Sequence, residues 1–188
     1  VRFMIGARFG CASIRQSIGG GGGKFARIGF TWCVVATASR LGSGFTSGDM
    51  VVRRLSDSGA GGTFTGIANF GGTENVDQLL RQPDGRLVVV GGTTQGGGDM
   101  ALARFNTDAS PDTTFGTNGR REIDLGGADE AIGVARQPDG KLVVVGKGGA
   151  ANDLVVLRLN GDGSDDTGFG SGGVARVDLG GTDLGTGV

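Results

Sequence analysis

Hydrophobic residues in this chain come in short bursts, most of them closed by glycine, asparagine, aspartate or proline. The runs Leu87–Val90 and Leu142–Val145 do not alternate with polar residues, so they read as strands covered on both faces. No window of ten or more residues carries a helical spacing, and glycine interrupts every candidate. Over residues 128–181 the pattern predicts four strands: Ile132–Arg136, Lys141–Gly146, Asp153–Leu159 and Val174–Leu179. The first two are joined through Pro138-Asp139-Gly140, where proline presets one φ and glycine accepts a positive one.

The pattern repeats. Arg81-Gln-Pro-Asp-Gly-Arg-Leu-Val-Val-Val-Gly91 returns with one change from Arg136, an offset of 55, and Asp99–Asn106 returns in part from Asp153, an offset of 54. The two units share 10 identities in a first block of 23 columns and 14 in a second of 29, a density that places them as tandem copies. A worn copy lies upstream: Asp49-Met-Val-Val-Arg-Arg-Leu-Ser matches Asp99–Asn106, Phe64 matches Phe115, and Trp32–Ala36 stands where Leu-Val-Val-Val-Gly stands later. At the start, Ala7-Arg8-Phe9 reproduces Ala103-Arg104-Phe105, and near the end Asp183 matches Asp129.

The units therefore divide the chain into 1–29 (the third and fourth strands of a partial unit), 30–72 (a degenerate unit), 73–127, 128–181, and 182–188 (the start of another). Four short strands per unit, with middle strands buried on both sides, predict an all-β fold: a partial β-propeller of about three and a half four-stranded blades. A β-solenoid is the competing architecture, but its coils repeat at shorter periods. Strand edges left open by a partial array are expected to favour self-association.

Composition alters this reading little. The 42 glycines among 188 residues would suggest low complexity if they lacked a period, and here they have one. With 18 basic and 19 acidic residues spread along the chain, no charged face suited to nucleic acid is expected. The apolar runs are too short for membrane insertion by a helix, and no leader-like segment opens the chain. Cys11 and Cys33 lack zinc-site spacing and leave either one disulfide or two inert thiols. The absence of histidine and tyrosine removes the commonest general base and the phenolic nucleophile of some glycosidases. The adjacent acids Asp129-Glu130 and Asp165-Asp166 remain as the carboxylate pairs available to glycosidase or lyase chemistry.

The unit from Arg136-Gln-Pro-Asp-Gly to the Asp162-x-Ser164-x-Asp166-Thr-x-Phe169-Gly turn and Val174-Ala-Arg-Val-Asp-Leu resembles the delta-sixty repeat family of bacterial proteins. That resemblance implies tandem β-propeller repeats, a secreted or cell-surface location and no assigned reaction. It is strongest over 73–181 and thins toward the N-terminus.

Three features invite a functional reading. Gly168-Phe-Gly-Ser-Gly-Gly173 fits a dinucleotide-binding pattern, but a strand rather than a helix is predicted after it, so it is read as a turn. Asn160, Asp162, Ser164 and Asp166 are oxygen donors with the spacing of a loose calcium loop; the same residue types also build hairpin turns. Arg8, Arg54, Arg104 and Arg158 occupy one repeat position and would either line a channel that holds anionic glycans or pair with a repeat aspartate such as Asp108 or Asp162. Phe115 and Phe169 read as core plugs beneath the turn. No catalytic residue and no cofactor other than a calcium ion is expected. The leading function is a non-enzymatic structural or binding scaffold with a glycan or protein ligand. Its alternatives are a propeller polysaccharide hydrolase or lyase and a calcium-dependent adhesion module.

Overall fold

The computed structural model describes residues 9–12, 31–36, 48–55, 65–178 and 180. Among them the chain forms three four-stranded antiparallel sheets, each with its strands in sequence order. The first holds β1 (Phe9–Ala12), β2 (Thr31–Ala36), β3 (Met50–Leu55) and β4 (Thr65–Ala68). The second holds β5 (Gln78–Arg81), β6 (Leu87–Thr93), β7 (Asp99–Phe105) and β8 (Arg120–Ile123). The third holds β9 (Glu130–Arg136), β10 (Leu142–Gly148), β11 (Asp153–Leu159) and β12 (Val174–Val177). A three-residue 3-10 turn at Gln95–Gly97 is the helical segment among the described residues. No helix there is long and apolar enough to cross a membrane.

The sheets repeat in register as well as order. Leu87 faces Phe105 across β6–β7, and Leu142 faces Leu159 across β10–β11, so the offsets read from the sequence survive as strand pairings. The Pro-Asp-Gly turns place Gly85 at φ 87° and Gly140 at φ 93°, the left-handed region that glycine enters without a Cβ penalty. The first strands are neighbours: β1 touches β5, and β5 touches β9. They therefore run side by side along the inner edge, with the later strands of each sheet stepping outward, the arrangement of propeller blades.

Packing explains why the middle strands do not alternate. Leu87 and Val89 enter a core shared with Met50, Val52, Ala101, Ala103 and Phe105, between the first and second sheets. Val88 and Val90 point the other way, into a core with Leu102, Phe115, Leu142, Val144, Val155 and Leu157 between the second and third sheets. Every residue of β6 and β7 is buried. In β11, by contrast, buried and half-buried positions alternate from Val155 onward, because the second sheet covers only one of its faces.

One sequence expectation is placed differently. Phe9–Ala12, matched through Ala7-Arg8-Phe9 to a third strand of a preceding unit, pairs with β2 as the inner strand of the first sheet. A three-residue match holds too little register information to fix a strand's place. The same pairing sets the backbones of Cys11 and Cys33 opposite each other; their side chains, like the expected unit at 182–188, lie outside the described residues.

Two-sided burial predicts an asymmetry between equivalent positions. Leu102→Ala, beneath a fully covered strand, should lower the unfolding free energy by about 2–5 kcal/mol. Val156→Ala, 54 residues on at a half-buried site, should cost less than half of that; urea denaturation of the two variants is the check.

Candidate functional site

After each third strand the chain turns back on itself and brings a distant aspartate to the repeat arginine. The backbone N–H of Asp112 donates to the Arg104 carbonyl at 2.9 Å, and that of Asp166 to the Arg158 carbonyl at 2.9 Å. The turn thus delivers the second aspartate of the D-x-S-x-D run, not the first. Arg104 Nε donates to Asp112 Oδ2 at 2.7 Å, its Nη2 to Thr114 Oγ1 at 3.0 Å, and its guanidinium lies 4.7 Å from the Phe115 ring centre. Arg158 repeats the arrangement with Asp166 and with the Phe169 ring at 4.8 Å.

Asp108 and Asp162, which the alignment offered as partners, do something else. Each accepts from the serine two residues on, through backbone N–H at 2.9 Å and hydroxyl at 2.6 Å, and so closes its own turn.

These contacts decide what the repeat arginines can do. Arg104 is 2 % exposed, and Nη1 donates to the carbonyl of Gly161 in the next unit, so its charge joins two blades and faces no channel. The side chains of Arg54 and Arg8 lie outside the described residues. Gly163, at φ 84°, sits against the Phe115 ring, where an added Cβ would come within 2.8 Å of it. Phe115 is fully buried in the second core and plugs it from the turn side.

The acidic loop is likewise tied to itself. Asn160 Nδ2 donates to Ser164 Oγ at 3.0 Å and to the Asp165 carbonyl at 3.2 Å. Asp166 Oδ2 accepts from Lys141 Nζ at 2.8 Å and from Arg158. Asn160, Asp162 and Ser164 therefore bond to one another, while Asp166 is turned toward two cations. The carboxylate pairs are also engaged: Asp165 with Arg121 at 2.9 Å, Glu130 with Lys147 at 3.3 Å and with Asn75 at 2.8 Å. Gly168–Gly173 forms a turn that feeds directly into β12.

A different acidic group does converge, at the seam between sheets. Oxygen atoms of Asp99, Asp124 and Asp129 lie within 4.8 Å of one another. Asp99 opens β7, Asp124 follows β8, and Asp129 begins the next unit. Asp129 Oδ1 accepts from Gly149 N at 2.7 Å, Oδ2 from Leu125 N at 2.5 Å, and its own N–H donates to the Gly98 carbonyl at 2.6 Å. Glu74 makes the same backbone bond to Gly48 at 2.6 Å, so the joint recurs one unit earlier. Sequence reasoning passed over this group, although its signal was present as aligned aspartates 54 residues apart: Asp99/Asp153, Asp124/Asp178 and Asp129/Asp183.

Electrostatics separates the two regions. Burial pushes the Asp112 carboxyl up, but hydrogen bonds from Thr114 and Arg86 and the charge of Arg104 outweigh it and hold it well below the ordinary carboxylate range. Lys141 and then Arg158 lower Asp166 in the same direction. At the seam burial wins instead and raises Glu74, and burial together with the neighbouring Asp99 raises Glu122.

A solvent-open cleft of about 620 Å³ lies between the first and second sheets, lined by Asn69, Phe70, Thr117, Arg120, Arg121 and Glu122.

The fold and its repeated clasp define a β-propeller-type repeat protein. Residues 82–115 and 137–169 match the family model described as "Domain of unknown function (DUF5122) beta-propeller". Each matched segment runs from the Pro-Asp-Gly turn through both middle strands to the phenylalanine of the clasp. A comparison with curated proteins finds no match.

The depressed Asp112 sets a pH dependence with a definite sign. Its contribution to stability is complete above the unfolded-state value of about 3.9 and is lost as pH falls from there toward its lower folded value. Thermal melts between pH 7 and pH 3 should fall steeply at the acid end, and Asp112→Asn should flatten that slope. At neutral pH Asp112→Ala should cost about 3–5 kcal/mol, the effect of stranding the buried Arg104.

Proposed function

We propose that the chain is a non-catalytic scaffold of delta-sixty type from a secreted or surface bacterial protein, one that displays its rim loops to a ligand. The observation that carries this reading is the use made of the repeated charges. Arg104, Asp112, Asp162, Asp165 and Asp166 hold turns and seams together, and the arginine–aspartate and aspartate–serine bonds recur in the second and third sheets. Residues that recur in the same structural role from one unit to the next are suited to architecture, whereas a reaction centre needs a unique constellation. The lack of histidine and tyrosine supports the same conclusion.

A ligand fits best at the cleft lined by Phe70, Thr117, Arg120 and Arg121, which combines one aromatic face with hydrogen-bond donors and suits a glycan or an acidic peptide segment. The half-covered third sheet offers a second surface, for association with another copy.

Polysaccharide panels assayed for reducing ends and for lyase products should show no turnover, with glycan-array binding weakened by Phe70→Ala. Turnover of any polysaccharide by the purified chain would overturn the scaffold reading.

A further inference from the structure

A buried carboxylate oxygen needs a hydrogen-bond donor or a cation, because leaving it bare in a dry environment is costly. Asp99 is 4 % exposed, and its Oδ1 is buried without a donor. Asp99 belongs to the group where oxygens of Asp99, Asp124 and Asp129 come within 4.8 Å of one another, so a point among them lies no more than about 2.8 Å from each, close to calcium–oxygen distances. Around Asp99 the backbone is shaped to the carboxylate: Gly96, at φ 69°, passes so close to Oδ2 that any Cβ there would collide with it. The bonds that Asp129 accepts from Leu125 and Gly149 fix its orientation and leave further lone pairs on both oxygens.

The residue types recur at the aligned positions of neighbouring units. The aligned trio in the preceding unit is Asp49, Asn69 and Glu74, and in the following one Asp153, Asp178 and Asp183, all oxygen donors. In each unit one of these carboxylates has a buried oxygen with no donor: Glu74 Oε2, Asp99 Oδ1 and Asp153 Oδ1. Local turn-making does not account for that recurrence, since a turn-capping carboxylate finds its donors in the turn.

We propose that Asp99, Asp124 and Asp129 form a calcium site that clamps the second sheet to the third. The donor set is all oxygen, which suits a hard cation and not zinc or copper. Calcium accepts an irregular ring of carboxylates, backbone carbonyls and water, whereas magnesium requires near-octahedral geometry and keeps most of its water. Because Asp129 belongs to the unit after Asp99, bound calcium ties blades and raises their joint stability, and this holds whether or not the rim binds a glycan.

The test is calorimetric titration of the EDTA-stripped full chain with CaCl2 and, separately, MgCl2, alongside thermal melts in each. Calcium should bind with measurable heat and raise Tm, with at least about a tenfold weaker response to magnesium. Asp99→Asn and Asp124→Asn should each remove one site from the stoichiometry; Asp124 is exposed, so its variant keeps the fold while testing the ligand set. No calcium heat with an unchanged Tm would overturn the proposal, as would magnesium binding of equal strength. Calcium stoichiometry that is unchanged in both variants would do the same.

Discussion

A sheet whose middle strands are apolar on both faces needs two neighbours, and that requirement organises everything else in the molecule. β6 sends Leu87 and Val89 into one core and Val88 and Val90 into another, so the second sheet cannot be packed without the first and the third. Hydrophobic burial is therefore a property of pairs of units. The polar contacts follow the same logic. Gly98 and Gly48 carbonyls accept from the first residues of the next unit, Arg104 reaches the Gly161 carbonyl, and the Gln78 side chain accepts from Val134 N at 2.6 Å across the inner strands. Backbone groups that no ladder satisfies are thus paired across seams.

The charged residues divide into two populations. One is consumed in the clasp, where Arg, Asp and Phe lock each returning turn over the core, with the aspartate held ionised by the cations around it. The other gathers at the seam, where acids outnumber bases and burial raises the proton affinity of Glu74 and Glu122. Within the clasp each aspartate is shared between two cations, Asp112 by Arg86 and Arg104 and Asp166 by Lys141 and Arg158, which is a structural use of charge. The seam differs because its acids leave buried oxygens free, and it is there that an ion adds what the protein lacks.

Most of the fold was legible in the sequence because the repeat averages out local ambiguity. β11 falls on the predicted Asp153–Leu159, β10 is displaced by one or two residues, and β9 begins earlier, at Glu130, because its pairing runs on to Lys147 beyond a bulge at Val145/Gly146. What the sequence could not order was tertiary. Two aspartates lie four and eight residues after Arg104, and only the hydrogen bond from Asp112 N back to the Arg104 carbonyl selects the second. The seam trio was harder still to read. Its members stand 25 and 5 residues apart, and two of them, Asp124 and Asp129, look like ordinary turn residues until the next unit folds against them.

Mutual support between units is the central claim, and native-state hydrogen exchange tests it most directly. Amides of β6 and β7, covered on both sides, should exchange only through global unfolding, while those of β11 and β12 should also exchange through smaller openings of lower free energy. Equal protection across all three sheets, or stronger protection in β11 than in β7, would contradict the account.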